Sequence, residues 1–111
     1  MSSVCSIDPG ARENILRELN TFAQRLRAEL GVEAVYLFGS LARGKEHEGS
    51  DIDVLVVAEF AGRSLDFLGE VTARTELPIE PVVVRPRTLA QRLRSGHPLF
   101  TRIMADAVRL D

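Results

Sequence analysis

A chain of 111 residues with 45% hydrophobic and 27% charged residues has the size and composition of one globular domain, which excludes a disordered chain or a fibrous repeat. The formal charge of -2 and pI near 5.7 supply no general attraction to nucleic acid or an anionic membrane, so any bound phosphate must be held locally. Cys5 is the single cysteine and no apolar run exceeds five residues, so the expectation is a cytoplasmic protein without a disulfide, a secretory core or a membrane-spanning helix.

Residues 1–7 read as a short tail, and 8–111 as the domain. Asp8-Pro9 has the form of an N-cap followed by proline at the first helical position. Ile15, Leu19, Phe22, Leu26 and Leu30 then recur at helical spacing until Gly31 closes the helix. Val32 to Phe38 reads as a strand ending at Gly39. Ser40 to Gly44 has room for little more than a helical turn, and Asp51 to Ala58 reads as the second strand. Ser64 can cap a helix reaching Thr75, with Leu65, Leu68, Val71 and Thr72 on its inner side. Ile79 to Val84 reads as a third strand, in which Pro81 cannot donate a ladder hydrogen bond and so indicates an edge, a bulge or an N–H side with no neighbour. Thr88 to Arg94 and Pro98 to Ala105 read as short helices, and Ala107 to Leu110 as a last short strand. The order α-β-α-β-α-β-α-α-β predicts an α/β (α+β) domain, a small mixed sheet with helices packed on it.

Two features carry chemistry. Gly39-x-x-x-x-Gly44-Lys45 after a strand is one residue short of a P-loop, and Glu46 stands where that loop needs a hydroxyl for Mg²⁺, so the P-loop reading fails. Asp51 and Asp53 lie two apart on a strand, so their side chains share one face while Ile52, Val54 and Val56 take the other. Two carboxylates so placed can chelate hard cations between protein and substrate phosphate. Ser40, opening the turn after Gly39, offers a hydroxyl and amide donors to phosphate oxygens at the neighbouring strand end.

The stretch from Gly39 to Val57, GSLARG, five residues, then SDIDVLVV, resembles the signature of the minimal nucleotidyltransferases of the DNA polymerase beta superfamily, G-S-x-A-R-G-x5-S-D-x-D-x-x-V. Gly39, Ser40, Ala42, Arg43, Gly44, Ser50, Asp51, Asp53 and Val56 all match. The resemblance implies the nucleotidyltransferase fold, two Mg²⁺ ions with ATP as substrate, Asp51 and Asp53 as catalytic metal ligands, and Gly39, Ser40, Arg43 and Ser50 about the nucleotide. For Arg43 a structural ion pair at the helix end is the alternative. The family also implies a third carboxylate on an adjacent strand. Glu80 is the only acid there, although the common pattern has Asp without a following proline, and the competing reading is a surface glutamate.

Other chemically suggestive residues have simpler readings. His47 and His97 lack the spacing of a zinc site, Tyr36 and Phe38 read as core, Lys45 as an exposed loop residue, and Arg85, Arg87, Arg92 and Arg94 as a solvated helix face. The expected function is Mg²⁺-dependent transfer of a nucleoside monophosphate, AMP from ATP, to a hydroxyl. Because a 111-residue chain has little room for a domain that binds the acceptor, it resembles antitoxins that adenylylate a tyrosine of a HEPN-domain RNase toxin. The alternative is a non-catalytic nucleotide-binding subunit that neutralises or scaffolds a partner by contact.

Overall fold

The computed structural model describes residues 9–44 and 51–110, with side chains from Arg12 onward. The expected tail, the Asp8 cap, Cys5, Lys45, His47 and Ser50 lie outside the described residues. Within them the expected element order is observed: α1 (Pro9–Leu30), β1 (Ala34–Phe38), α2 (Gly39–Ala42), β2 (Ile52–Val57), α3 (Ser64–Thr72), β3 (Ile79–Val84), α4 (Pro86–Arg94), α5 (Pro98–Asp106) and β4 (Val108–Leu110). Helix α4 begins two residues before the expected Thr88 because Pro86 takes the first turn, where its missing N–H costs nothing.

The four strands form one mixed sheet in the order β3-β2-β1-β4. Strand β1 runs antiparallel to both β2 and β4, and β2 runs parallel to β3 across the α3 crossover. Strand β3 is therefore an edge, and the sheet places Pro81 where the missing N–H leaves only one neighbour to consider.

Each sheet face has its own core. Leu19, Phe22, Ala23 and Leu26 recur at i, i+3, i+4 and i+7 on α1, and this stripe buries Val35, Leu37, Val54 and Val56. Each of the larger side chains, Ala23 apart, contributes about 1.5–3 kcal/mol by leaving water. On the opposite face Ala34, Leu55, Val57 and Val84 meet Ile103 of α5, with Phe38, Phe100 and Met104 packed alongside.

Helix α3 ends at Thr72, short of the expected Thr75, and Ser64 is its first residue, with Arg63 at the cap position and no side-chain cap. Its inner side also differs from expectation. Val71 is buried and Leu68 half-buried, but Leu65 is 68% exposed and Thr72 is also exposed. Phe67 turns inward instead and stacks on Phe60 with ring centroids 4.8 Å apart. Arg85 is likewise not on a solvated face. Its guanidinium lies 4.0 Å from the Phe60 ring centroid and donates to Phe60 O at 3.2 and 3.0 Å and to Gly62 O at 3.0 Å. This Phe67–Phe60–Arg85 stack holds the β2–α3 connection against the end of β3, and so sets the helix phase.

Candidate active site

The carboxylates gather where β1 ends and where β2 and β3 begin. Register pairs Asp53 with Phe38 on one side and with Glu80 on the other, so Phe38, Asp53 and Glu80 form one row across three strands. The next rows on the same face are Tyr36, Leu55 and Val82, then Ala34, Val57 and Val84. Ile52, Val54 and Val56 enter the other core, as the two-residue period requires. Asp51 precedes the strand on the same side as Asp53, and its carboxyl lies close enough to Glu80 for each to feel the other's charge. The structure thus brings Asp51, Asp53 and Glu80 together, and Glu80, although exposed, is joined to the aspartates.

The glycine turn passes directly over this row. Gly39 has φ +78°, and a Cβ there would collide with Asp53 Oδ2, so both the backbone conformation and the space require glycine. Leu41 is buried and anchors α2, while Arg12 Nη2 donates to Leu41 O at 3.0 Å and ties the turn to α1. Ser40 lies half-buried in α2, beside the row.

Arg43 takes the ion-pair role: its Nη1 donates to Asp106 Oδ2 at 2.9 Å. It also stays close enough to Asp53 to favour the charged carboxylate. Asp106 was not a candidate from sequence, though a signal existed. It ends α5, where the helix dipole disfavours an acid unless a cation meets it.

Electrostatics mark the row as a site wanting positive charge. Burial, and next the Asp51 charge, push the Asp53 carboxyl above its ordinary range against the opposing pull of Arg43. The hydrogen bond to Asp51 and the Asp51 charge push Glu80 up as well, with burial and Asp53 adding to the shift.

Among the described residues no three His, Cys, Asp or Glu side chains are already disposed as a metal cluster. The donor set still fits a hard divalent cation: oxygen ligands only, mutually repelling, and opened to close approach by a glycine whose Cβ would fill the space. A groove of about 500 Å³ between α1 and Arg74 contains none of these carboxylates. Its Arg25 and Arg74 are already paired with Glu29.

Comparison with known proteins identifies the family and the fold. A family model described as a nucleotidyltransferase domain matches residues 17–102. The chain is similar to a Methanocaldococcus jannaschii protein named "putative protein adenylyltransferase", with 33% identity covering 88% of this chain and 70% of that protein. Its fold is similar to the crystal structure of a "putative nucleotidyltransferase" from Sulfolobus solfataricus, with TM-score 0.63 and 21% identity over 88% of this chain and 80% of that one.

Proposed function

The chain belongs to the nucleotidyltransferase domain family, and from that premise we propose that it transfers AMP from Mg²⁺-ATP to a hydroxyl on a protein. The observation that carries the reading is the adjacency of Asp51, Asp53 and Glu80 beneath Gly39 at one end of the sheet. The archaeal relative's name supports a protein acceptor. The resemblance of the signature to minimal nucleotidyltransferase antitoxins supports, more specifically, a tyrosine on a HEPN-domain toxin.

In the reaction the acceptor oxygen bonds to the α-phosphorus, the bond from that phosphorus to the bridging oxygen breaks, and pyrophosphate leaves. Asp51 and Asp53 would hold divalent cation, with Glu80 completing the set. When bound, Mg²⁺ supplies charge neutralisation for the pyrophosphate and lowers the pKa of the acceptor hydroxyl. Glu80, on the exposed edge strand, is the residue positioned to take the acceptor's proton. Ser40 and the turn amides would orient the phosphates, and Arg43, held by Asp106, contributes fixed positive charge beside the row.

Intact-mass spectrometry of a co-purified HEPN-domain partner, after incubation with ATP and Mg²⁺, tests the proposal. The expected result is a partner heavier by whole AMP units. A partner whose mass never changes while its toxicity is suppressed would favour the non-catalytic subunit instead.

A further inference from the structure

Helix α4 covers the sheet only in part. It buries no residue completely, and Leu93 is 38% exposed. Between α4 and the first half of β1 lies a groove of about 360 Å³, with Ala34, Tyr36 and Val57 as its floor and Leu89, Ala90 and Leu93 as its wall. Pro86, Glu33 and Arg109 complete the lining, and the surface beyond Ala90 is cationic. Residues 81–105 hold five arginines and no acid, in a chain whose formal charge is -2. Arg87, Arg92, Arg94 and Arg102 are exposed and have no ion-pair partner among the described residues. Arg87 and Arg94 lie seven apart, so they share one helix face, about 40–60° beyond Ala90 at the lip of the groove. Arg109 lines the other side, where it donates to Glu33 O at 3.4 Å.

We propose that this groove is a docking site for the protein acceptor, taking an acidic segment that inserts an apolar side chain. The inference rests on the reading that the acceptor is a protein. An aliphatic wall with Arg109 on one side and Arg87 and Arg94 beyond the other complements a leucine whose flanking carboxylates reach past Glu33 to those arginines, whereas a phosphate backbone would gain the arginines and leave the apolar floor unused. The groove opens on the same sheet face as the carboxylate row. Ala34 stands four residues before Phe38, so the two sites lie about 13 Å apart along β1. A segment held there would present the rest of its protein to the carboxylates at high effective concentration.

The test is a titration of the isotope-labelled chain, followed by amide chemical shifts, with a helical peptide of leucines and glutamates. The same peptide with lysine for glutamate, and oligo(U) RNA, are the comparison probes. Shifts should concentrate at Ala34, Tyr36, Val57 and residues 89–94 with the acidic peptide alone. The Arg87→Glu/Arg94→Glu double variant, and separately Leu93→Glu, should weaken binding at least about tenfold while keeping a dispersed spectrum. No localised shift, equal binding of the lysine peptide, or displacement of the acidic peptide by oligo(U) would overturn the proposal. The titration needs neither ATP nor metal, so it decides the matter even if no transfer occurs. Conversely, transfer to an acceptor protein that is unaffected by the double variant would overturn the docking site and leave adenylyl transfer standing.

Discussion

Gly39 and Asp53 approach so closely that a Cβ on residue 39 would collide with Asp53 Oδ2 and lie 3.1 Å from its Cγ. Gly39→Ala should therefore act twice. The left-handed backbone costs roughly 1–2 kcal/mol with a side chain present, and the carboxylate must shift. A displacement of about an ångström in a positioning group can lower the rate by about a hundredfold. Thermal unfolding and transfer assays on the same preparation would measure both effects. A rate unchanged in the folded variant would detach the turn from the chemistry.

Asp53 gives a pH-dependent prediction for the metal-free protein. Its carboxyl is raised in the fold, chiefly by burial and then by Asp51, so the folded state binds its proton more tightly than the unfolded chain does. The corresponding stability is present below the unfolded-state pKa of about 4 and is lost as pH rises through the higher folded-state value. Asp53→Asn removes that titration. The variant's melting midpoint should exceed the wild type's at neutral pH, and the gap should narrow as pH falls through the carboxylate range. A gap that widened in acid would contradict the assigned direction.

The Arg85 seat is a structural prediction. Arg85→Ala loses hydrogen bonds to Phe60 O and Gly62 O and the contact with the Phe60 ring, and should cost roughly 2–3 kcal/mol in denaturant unfolding. Arg94→Ala, on an exposed face of the adjoining helix, should stay within about 0.5 kcal/mol. Equal effects would mean that the stack does not hold the β2–α3 connection.

These contrasts show which parts of the molecule were legible in the sequence. Element order and the face shared by Asp51 and Asp53 follow from local periodicity, while Pro81 leaves an edge, a bulge or an unneighboured N–H side open until the sheet order makes β3 an edge. The adjacency of Glu80 followed from the family resemblance, and the parallel β2–β3 register supplies it physically. The Arg43–Asp106 pair spans 63 residues of sequence and the Arg85–Phe60 contact 25, and no local pattern specifies either. Helix α3 shows the same limit: Leu68 and Val71 face in as periodicity implies, but the rings of Phe60 and Phe67 turn Leu65 and Thr72 outward, and only the folded connection brings those rings together.

Glu80→Gln separates proton transfer from binding. If Glu80 accepts the acceptor's proton, the rate should fall by about 10²–10⁴-fold with the KM for ATP nearly unchanged. A wild-type rate would return Glu80 to a surface role. A raised KM at unchanged kcat would assign it to nucleotide binding alone.

The central claim is that Asp51 and Asp53 together make this end of the sheet catalytic. The most direct measurement is Mg²⁺-dependent incorporation of label from α-labelled ATP into the proposed acceptor protein, comparing wild type with Asp51→Asn and Asp53→Asn, each shown folded by its melting curve. Loss of either carboxylate should raise the barrier by about 4 kcal/mol and cut incorporation by about a thousandfold. Wild-type incorporation by either folded variant would contradict the two-aspartate site.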